Sequence, residues 1–206
     1  MMRGKLFVIS APSGAGKTSL VKTLLSSEPR LRLSISHTTR TRRPTEAEGR
    51  EYYFVSKPQF AELVQRDQFL EHAQVFDNHY GTSRAFVAGQ LAQGHDVLLE
   101  IDWQGAQQVR RAMPDCVSIF VLPPARQALA ERLARRATDT PQVISRRLRD
   151  AASDMSHYGE FDYVVVNDDF DQAVADLKRI IDGKGEDLKS TRPELKPLLA
   201  ELLAGA

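Results

Sequence analysis

Short apolar runs alternate with amphipathic helical stretches along most of the chain, a pattern typical of an α/β fold with a parallel sheet. The apolar runs predict buried strands at Lys5–Ser10, Asp96–Asp102, Cys116–Leu122 and Asp162–Asn167. Helical spacing between these runs predicts helices at Lys17–Ser26, Gln104–Arg111, Arg126–Arg136, Pro141–Ser156 and Asp171–Asp182. We therefore expect a parallel sheet that is flanked by helices.

Residues 31–83 interrupt this alternation. Glu51–Ser56 and Phe69–Phe76 have the pattern of strands in a small separate sheet, and a helix is predicted between them at Pro58–Arg66. We interpret this stretch as an inserted lobe and not as an independent domain. The predicted division is a core of residues 1–33, 84–125 and 157–190, an inserted mixed-sheet lobe at 34–83, a helical lid at 126–156 and a helical tail at 191–206.

Composition narrows the class of protein. The 28 basic and 27 acidic residues nearly cancel, which argues against binding nucleic acid through a broad basic surface. Cys116 is the only cysteine, so the chain cannot form an internal disulfide framework, and we expect this residue to be buried. The apolar runs are too short for a membrane span or a signal peptide. We expect a cytoplasmic protein without a membrane or nucleic-acid partner.

A glycine-containing loop follows the first predicted strand and precedes the first predicted helix. Its residues are Ser10, Ala11, Pro12, Ser13, Gly14, Ala15, Gly16, Lys17 and Thr18. The glycines allow successive backbone N–H groups to point at one anion, and the start of the helix adds unpaired N–H groups and a favourable dipole. Lys17 is suited to the β- and γ-phosphates of ATP, and the Thr18 hydroxyl to Mg²⁺.

The loop departs from the usual P-loop pattern at its first position, where Ala11 replaces glycine. Alanine fits there if its φ is negative. The alternative is a glycine-rich turn with an incidental lysine, and the strand–loop–helix context favours the P-loop. The loop predicts a nucleoside triphosphate site and leaves the reaction open.

A second cluster of polar residues lies in the interrupted stretch. Arg40 and Arg43, close to hydroxyl side chains and Tyr52, suit a dianionic phosphate that guanidinium groups bind in a bidentate manner. The alternative is a solvated basic loop. Glu71 can accept both N1–H and the 2-amino group of guanine, and Thr82 can donate to O6 or N7. Taken alone, Glu71 would be an ordinary exposed charge.

Six motifs behind the P-loop resemble guanylate kinase when they are taken together and in this order. They are Ser-x-Thr-Thr-Arg-x-x-Arg from Ser36, Gly-x-x-Tyr-x-Phe from Gly49, Phe-Leu-Glu from Phe69, Tyr-Gly-Thr from Tyr80, Asp-Trp-Gln-Gly from Asp102 and Val-Asn-Asp-Asp from Val166. The resemblance spans Leu6 to about Ile181. It implies transfer of the γ-phosphate of ATP to GMP, and to dGMP, in purine nucleotide metabolism and GMP recycling, with Mg²⁺ arriving with ATP.

The resemblance also implies a role for each matching position. The residues implied to hold the phosphate of GMP are Ser36, Arg40, Arg43, Tyr52 and Tyr80. Glu71 and Thr82 match positions that read guanine, and Glu100 matches one near the guanine amine. Asp102 matches a position near the waters of Mg²⁺, and Asn167 one near the adenine of ATP.

Arginines are concentrated between Arg126 and Arg149, in two predicted helices that suit a lid over ATP. Phosphoryl transfer needs such charges, and closure of a lid excludes competing water. By resemblance Arg136 and Arg147 contact the transferring phosphate, with Arg132 as another lid arginine. The alternative, amphipathic helices with basic outer faces, accounts for Arg135, Arg146 and Arg149.

Three other functions compete with this interpretation. A kinase for AMP, UMP or dTMP would differ only in the acceptor lobe. A catalytically inactive protein-interaction module typically lacks a working P-loop, and a P-loop switch or motor ATPase would not need an acceptor lobe of arginine, tyrosine and glutamate.

Trp103, Gln104 and Gly105 are interpreted as a structural turn after a strand. The sequence leaves the number of subunits open, a homo-oligomer included.

Overall fold

The computed structural model describes residues 3–75, 77–134 and 141–204, with the backbone alone at 141–147. Its strands are β1 Leu6–Ser10, β2 Leu31–Leu33, β3 His37–Thr38, β4 Tyr53–Phe54, β5 Phe69–Val75, β6 Asn78–Ser83, β7 Asp96–Glu100, β8 Val117–Leu122 and β9 Tyr163–Val166. Its helices are α1 Lys17–Ser27, α2 Lys57–Gln65, α3 Arg84–Ala92, α4 Trp103–Ala112, α5 Arg126–Ala134, α6 Pro141–Ser156, α7 Phe170–Ile181 and α8 Lys196–Leu202.

The strands form two sheets. The larger has five strands in the order β2–β7–β1–β8–β9, and the β2–β7 and β8–β9 pairs are parallel. The smaller has the order β4–β3–β6–β5, with one parallel pair and two antiparallel pairs. The predicted α/β class, with a parallel sheet flanked by helices and a second mixed sheet, is confirmed.

The chain groups into two compact units. The first comprises Met1–Val8 and Glu28–Val117, and the second comprises Ile9–Ser27 and Ser118–Ala206. The first therefore contains the small sheet with α2, α3 and α4, while the second contains the loop after β1 and the helices α1 and α5–α8. The division into core, lobe, lid and tail stays a prediction.

In the first unit, an aromatic layer supports one face of the small sheet. Ser56 caps α2 through a reciprocal pair of hydrogen bonds with Gln59, which fixes where this helix begins. Phe60 of α2 is buried and its ring lies 4.8 Å from that of Phe69 and 5.4 Å from that of His79, measured between centroids. Because side chains alternate along a strand, Tyr80 and Thr82 of β6 then point to the opposite face of the small sheet.

In the second unit, β8 and β9 are held in register where they begin. Asp162 accepts hydrogen bonds from the backbone N–H and the hydroxyl of Ser118, at 2.8 and 2.6 Å. Ile119–Leu122 then forms a continuous buried run, as expected for a parallel strand covered on both faces. Leu177 of α7 and Leu24 of α1 are buried, and these two helices are in contact.

The C-terminal tail lies along β9. The Ser190 N–H donates to the carbonyl of Asp162 at 3.0 Å, and Arg192 donates to the carbonyl of Val164 at 2.7 Å. Buried leucines anchor the rest of the tail at positions 195, 199 and 202. A terminal helix was predicted here, and α8 provides it after two short 3₁₀ turns.

Several local predictions need adjustment. The predicted turn at Trp103–Gly105 is the first turn of α4, because Asp102 caps the helix by accepting from the Gly105 N–H at 2.7 Å. The strand predicted at Glu51–Ser56 is reduced to β4. Cys116 is buried as predicted. In the part of the chain described here, none of the helices combines the length and apolar character needed to cross a membrane.

Candidate functional site

The loop between β1 and α1 has the backbone form of a phosphate cradle. Gly14 and Gly16 have φ values of +92° and +91°, the left-handed region that glycine adopts without steric cost. Outside glycine, Asp67 alone has positive φ among the described residues, so Ala11 meets the condition for replacing glycine. The α1 helix begins at Lys17, which sets its first unpaired N–H groups against the loop.

Two side chains from elsewhere in the second unit support this loop at one carbonyl oxygen. Asn167 follows β9, is buried, and donates through Nδ2 to the Ala15 carbonyl at 2.7 Å. Arg132 of α5 donates to the same carbonyl at 3.4 Å and to the Asn167 carbonyl at 3.0 Å. The loop therefore has support from both a strand end and a helix.

The small sheet assembles the residues predicted to bind a second phosphate. β3 pairs with β4 through His37 and Tyr53, and with β6 through Thr38 and Tyr80. Tyr52 directly precedes β4, and its ring lies 5.7 Å from that of Tyr80, measured between centroids. The Arg40 guanidinium lies over the Tyr52 ring at 5.4 Å. Ser36, also predicted, is buried just before β3. The structure thus brings guanidinium and phenol groups together.

Glu46 braces the arginine loop, a contact that the sequence did not indicate. Its Oε1 accepts from Arg40 Nη2 at 2.7 Å, and its Oε2 accepts from the Arg43 backbone N–H at 2.9 Å. Burial opposes ionisation of this carboxyl, but the hydrogen bonds from Arg40 and Arg43 outweigh it and lower the pKa of Glu46. Arg40 is therefore held in place, whereas the Arg43 side chain remains 65% exposed.

The Tyr52 hydroxyl lies in a setting that keeps it protonated. Burial raises the pKa of Tyr52 to about 12, and the neighbouring Tyr80 and Glu100 add to the shift. Arg40 acts in the opposite direction and does not outweigh them. A neutral phenol is a hydrogen-bond donor, which is the form that an anionic ligand needs.

Glu71 and Thr82 form a buried polar pair on β5 and β6. Thr82 Oγ1 donates to Glu71 Oε1 at 2.5 Å, and the two residues are 0% and 3% exposed, respectively. Glu71 is therefore not an ordinary surface charge. A carboxylate kept out of water is suited to accept hydrogen bonds from a ligand, and the neighbouring hydroxyl fixes its orientation.

Of the remaining predicted residues, Glu100 and Asp102 are described in full, whereas two lid arginines are not. Glu100 is the last residue of β7, and Asp102 is the cap of α4. Arg136 lies outside the described residues. Arg147 lies within α6, but its side chain is outside the described part as well.

Comparisons with known proteins agree with the sequence resemblance. A family model described as guanylate kinase matches residues 3–184. A guanylate kinase of Alkalilimnicola ehrlichii is 54% identical over 202 residues, covering 98% of this chain and all of that protein, and one of Methylococcus capsulatus is 53% identical over 203 residues, with the same shares covered.

A solved structure gives the same result. The crystal structure of guanylate kinase from Anaplasma phagocytophilum superposes with a TM-score of 0.74 at 34% identity, and the match covers 97% of this chain and 95% of that one. The resemblance inferred from the motifs is confirmed. With the family model and the relatives matching nearly its full length, the chain belongs to the guanylate kinase family.

Proposed function

We propose that this chain transfers the γ-phosphate of ATP to GMP and releases ADP and GDP. The observation that carries the proposal is the buried pair Glu71–Thr82 on β5 and β6 of the small sheet, with Arg40 shortly after β3 and Tyr52 directly before β4 of that sheet. A carboxylate that accepts two adjacent donors distinguishes guanine from adenine, whose N1 is itself an acceptor. Membership of the family supports the same activity.

The P-loop holds the triphosphate of ATP. Its backbone N–H groups and Lys17 surround the β- and γ-phosphates, and the helix dipole of α1 adds to their stabilisation. The proposed ATP-binding set is residues 11–18 with Arg132 and Asn167. The contacts of Arg132 and Asn167 with the Ala15 carbonyl support a role in shaping the loop for ATP.

GMP is held at both ends. Ser36, Arg40, Arg43, Tyr52 and Tyr80 bind its phosphate, and Glu71, Thr82 and Glu100 read its base. The Arg40 guanidinium has five N–H donors. Its Nη2 donates to Glu46 and its Nη1 donates to the Thr41 carbonyl, so the other donors can bind a ligand. We propose dGMP as a second acceptor, as the resemblance to guanylate kinase implies.

In the reaction, an oxygen of the GMP phosphate forms a bond to the γ-phosphorus while the bond from that phosphorus to the β–γ bridging oxygen breaks. The acceptor oxygen is already anionic, so the chain does not need a general base. Catalysis depends instead on positioning and on charge. We assign stabilisation of the moving group to Lys17, Arg40, Arg136 and Arg147.

Mg²⁺ fits the oxygen groups proposed for it, the Thr18 hydroxyl and the Asp102 carboxylate through water. When bound with ATP, it supplies positive charge to the β- and γ-phosphates. Asp102 accepts a hydrogen bond from Gly105, which orients its carboxylate before any ligand arrives. We also propose that the protein works in the cytoplasm.

A coupled ADP-release assay across GMP, dGMP, AMP, UMP and dTMP tests the proposal. We expect Mg²⁺-dependent ADP formation with GMP and dGMP and little with the others. The Lys17→Met variant serves as the control, because it keeps the loop but removes its charge. Equal rates with AMP, or ADP formation that does not depend on an acceptor, would contradict the assignment.

A further inference from the structure

We propose that Gly105 and Gln108 of α4 are positioning residues that set how Glu71 reads the guanine base. The inference rests on the proposed function, because Glu71 discriminates between bases only if a purine monophosphate is the acceptor. None of the residues proposed above to bind ATP or GMP belongs to α4. Three features of the first unit carry the inference, one in β5 and two in α4.

The first feature is a β-bulge immediately before Glu71. The register between β5 and β6 passes from Phe69–Ser83 to Glu71–Thr82, so Leu70 is the extra residue of the bulge. As a result Leu70 and Glu71 are both buried, although neighbours on a regular strand point to opposite faces. The bulge turns Glu71 toward Thr82, but an irregular strand needs other support to hold that direction.

The second feature is the close approach of Gly105 to the carboxylate. A β-carbon built on Gly105 would lie 2.5 Å from Glu71 Oε2 and 3.1 Å from Cδ. The other oxygen of Glu71 accepts from Thr82 at 2.5 Å, so the group cannot move away without disturbing that bond. Residue 105 must therefore lack a side chain for Glu71 to hold this position.

The third feature is a paired amide contact from Gln108. Its Nε2 donates to the His72 carbonyl at 2.7 Å, and its Oε1 accepts from the His72 N–H at 3.1 Å. β5 is an edge strand of the small sheet, and the Gln108 amide satisfies both backbone groups of one residue as a further strand would. Because His72 follows Glu71 directly, this contact fixes the backbone that carries the carboxylate.

Discrimination between GMP and IMP tests the proposal directly. Hypoxanthine keeps N1–H and O6 of guanine but lacks the 2-amino group, so the ratio of kcat/KM for GMP to that for IMP measures the second hydrogen bond to Glu71. We expect Gly105→Ala to lower this ratio about tenfold or more through the KM for GMP, since a misplacement of about 1 Å is costly. The KM for ATP should change less, because the added β-carbon would lie 3.3 Å from Asp102 Oδ1, a milder approach than the 2.5 Å to Glu71 Oε2.

Gly89→Ala is the matched control. Gly89 also lies within a helix, α3, and a β-carbon built there meets no atom within 4 Å. A variant that merely lost folded protein would lower the rates with GMP and IMP by the same factor and keep their ratio. A wild-type ratio in Gly105→Ala would overturn the proposal for Gly105.

Two further measurements keep the test decisive if Gly105→Ala folds poorly. Gln108→Met removes both contacts with His72 at similar size and should lower the ratio in the same direction, and an unchanged ratio rejects the role of Gln108. Glu71→Asp shortens the side chain, so its carboxylate would lie farther from a methyl group added at residue 105. In that variant, Gly105→Ala should lower the GMP/IMP ratio little further. Equal losses in both backgrounds would show that the two residues act independently. A wild-type enzyme that does not prefer GMP would instead contradict the proposed function.

Discussion

Asn167 donates a hydrogen bond from its side-chain amide to the carbonyl of Ala15, 152 positions earlier in the chain, over 2.7 Å. The same Nδ2 lies 2.5 Å from the place where a β-carbon on Gly16 would be. The resemblance assigned Asn167 to the neighbourhood of adenine, and the observed contact gives its amide nitrogen a partner within the P-loop. The shape of the loop and the end of β9 are therefore linked.

Gly16→Ala should damage this arrangement in two ways. Alanine is strained at positive φ by about 1–2 kcal/mol, and its methyl group would displace the Asn167 amide. We expect a larger loss of unfolding free energy than in Gly183→Ala, together with a raised KM for ATP. Gly183 is the control because its φ is +74° with no atom within 4 Å of an added β-carbon. Equal losses measured by urea unfolding would contradict the role of Asn167.

Glu46→Gln should change how stability depends on acid. The folded-state pKa of Glu46 is below its ordinary value of 4.5, so its ionised form stabilises the fold above that pH, and this contribution is lost as pH falls through the lowered folded pKa. The variant should be less stable than the wild type at pH 7 and should lose less stability on acidification. Urea unfolding at several pH values measures this, and an equal loss of stability on acidification in both proteins would contradict the prediction.

Tyr52→Phe should alter the response to alkaline pH. The pKa of Tyr52 rises from 10.0 to about 12 on folding, so the unfolded chain releases its proton first and stability is lost as pH rises between these values. The variant lacks this loss, and its KM for GMP should rise because a donor to the phosphate is gone. Unfolding measurements between pH 9 and 12 should show it, and an unchanged loss of stability in the variant would contradict the prediction.

Arg147→Ala tests the lid. If Arg147 neutralises charge on the moving phosphate, its loss should lower kcat by about 10²-fold, with a much smaller effect on the KM for GMP. Arg149→Ala is the control, since Arg149 belongs to the arginines attributed to a basic outer face. Steady-state kinetics separates the two, and an unchanged kcat in Arg147→Ala would remove that residue from the chemistry.

The sequence predicted the parts of the fold that have long, regular patterns. The continuous apolar run at β8 and the helical spacing at α6 were found with errors of at most one residue at each end. β2 and β3 were not predicted, because three and two residues cannot display a period. β6 is largely polar, with the candidate site residues Tyr80 and Thr82 at alternate positions, and so it did not show the apolar alternation of a strand.

Candidate site residues could be named from the sequence where motif and chemistry coincide, as at Lys17, Arg40 and Glu71, and their roles stay predictions. Glu46 was not found because it lies in a charged stretch that looks solvated, and only the fold of the loop brings it onto Arg40. Gln108 was missed for a similar reason: its partner is 36 positions away and is a backbone group. Contacts of this kind depend on the tertiary structure and leave no local pattern.

The tail that lies along β9 has a consequence beyond anchoring the C-terminus. β9 is the last strand in the order of the larger sheet, and such a strand offers unpaired N–H and C=O groups to any other chain. By engaging the carbonyls of Asp162 and Val164, the tail occupies acceptors that a foreign strand would otherwise use. The tail therefore reduces the number of backbone groups at β9 that could pair with a strand of another chain.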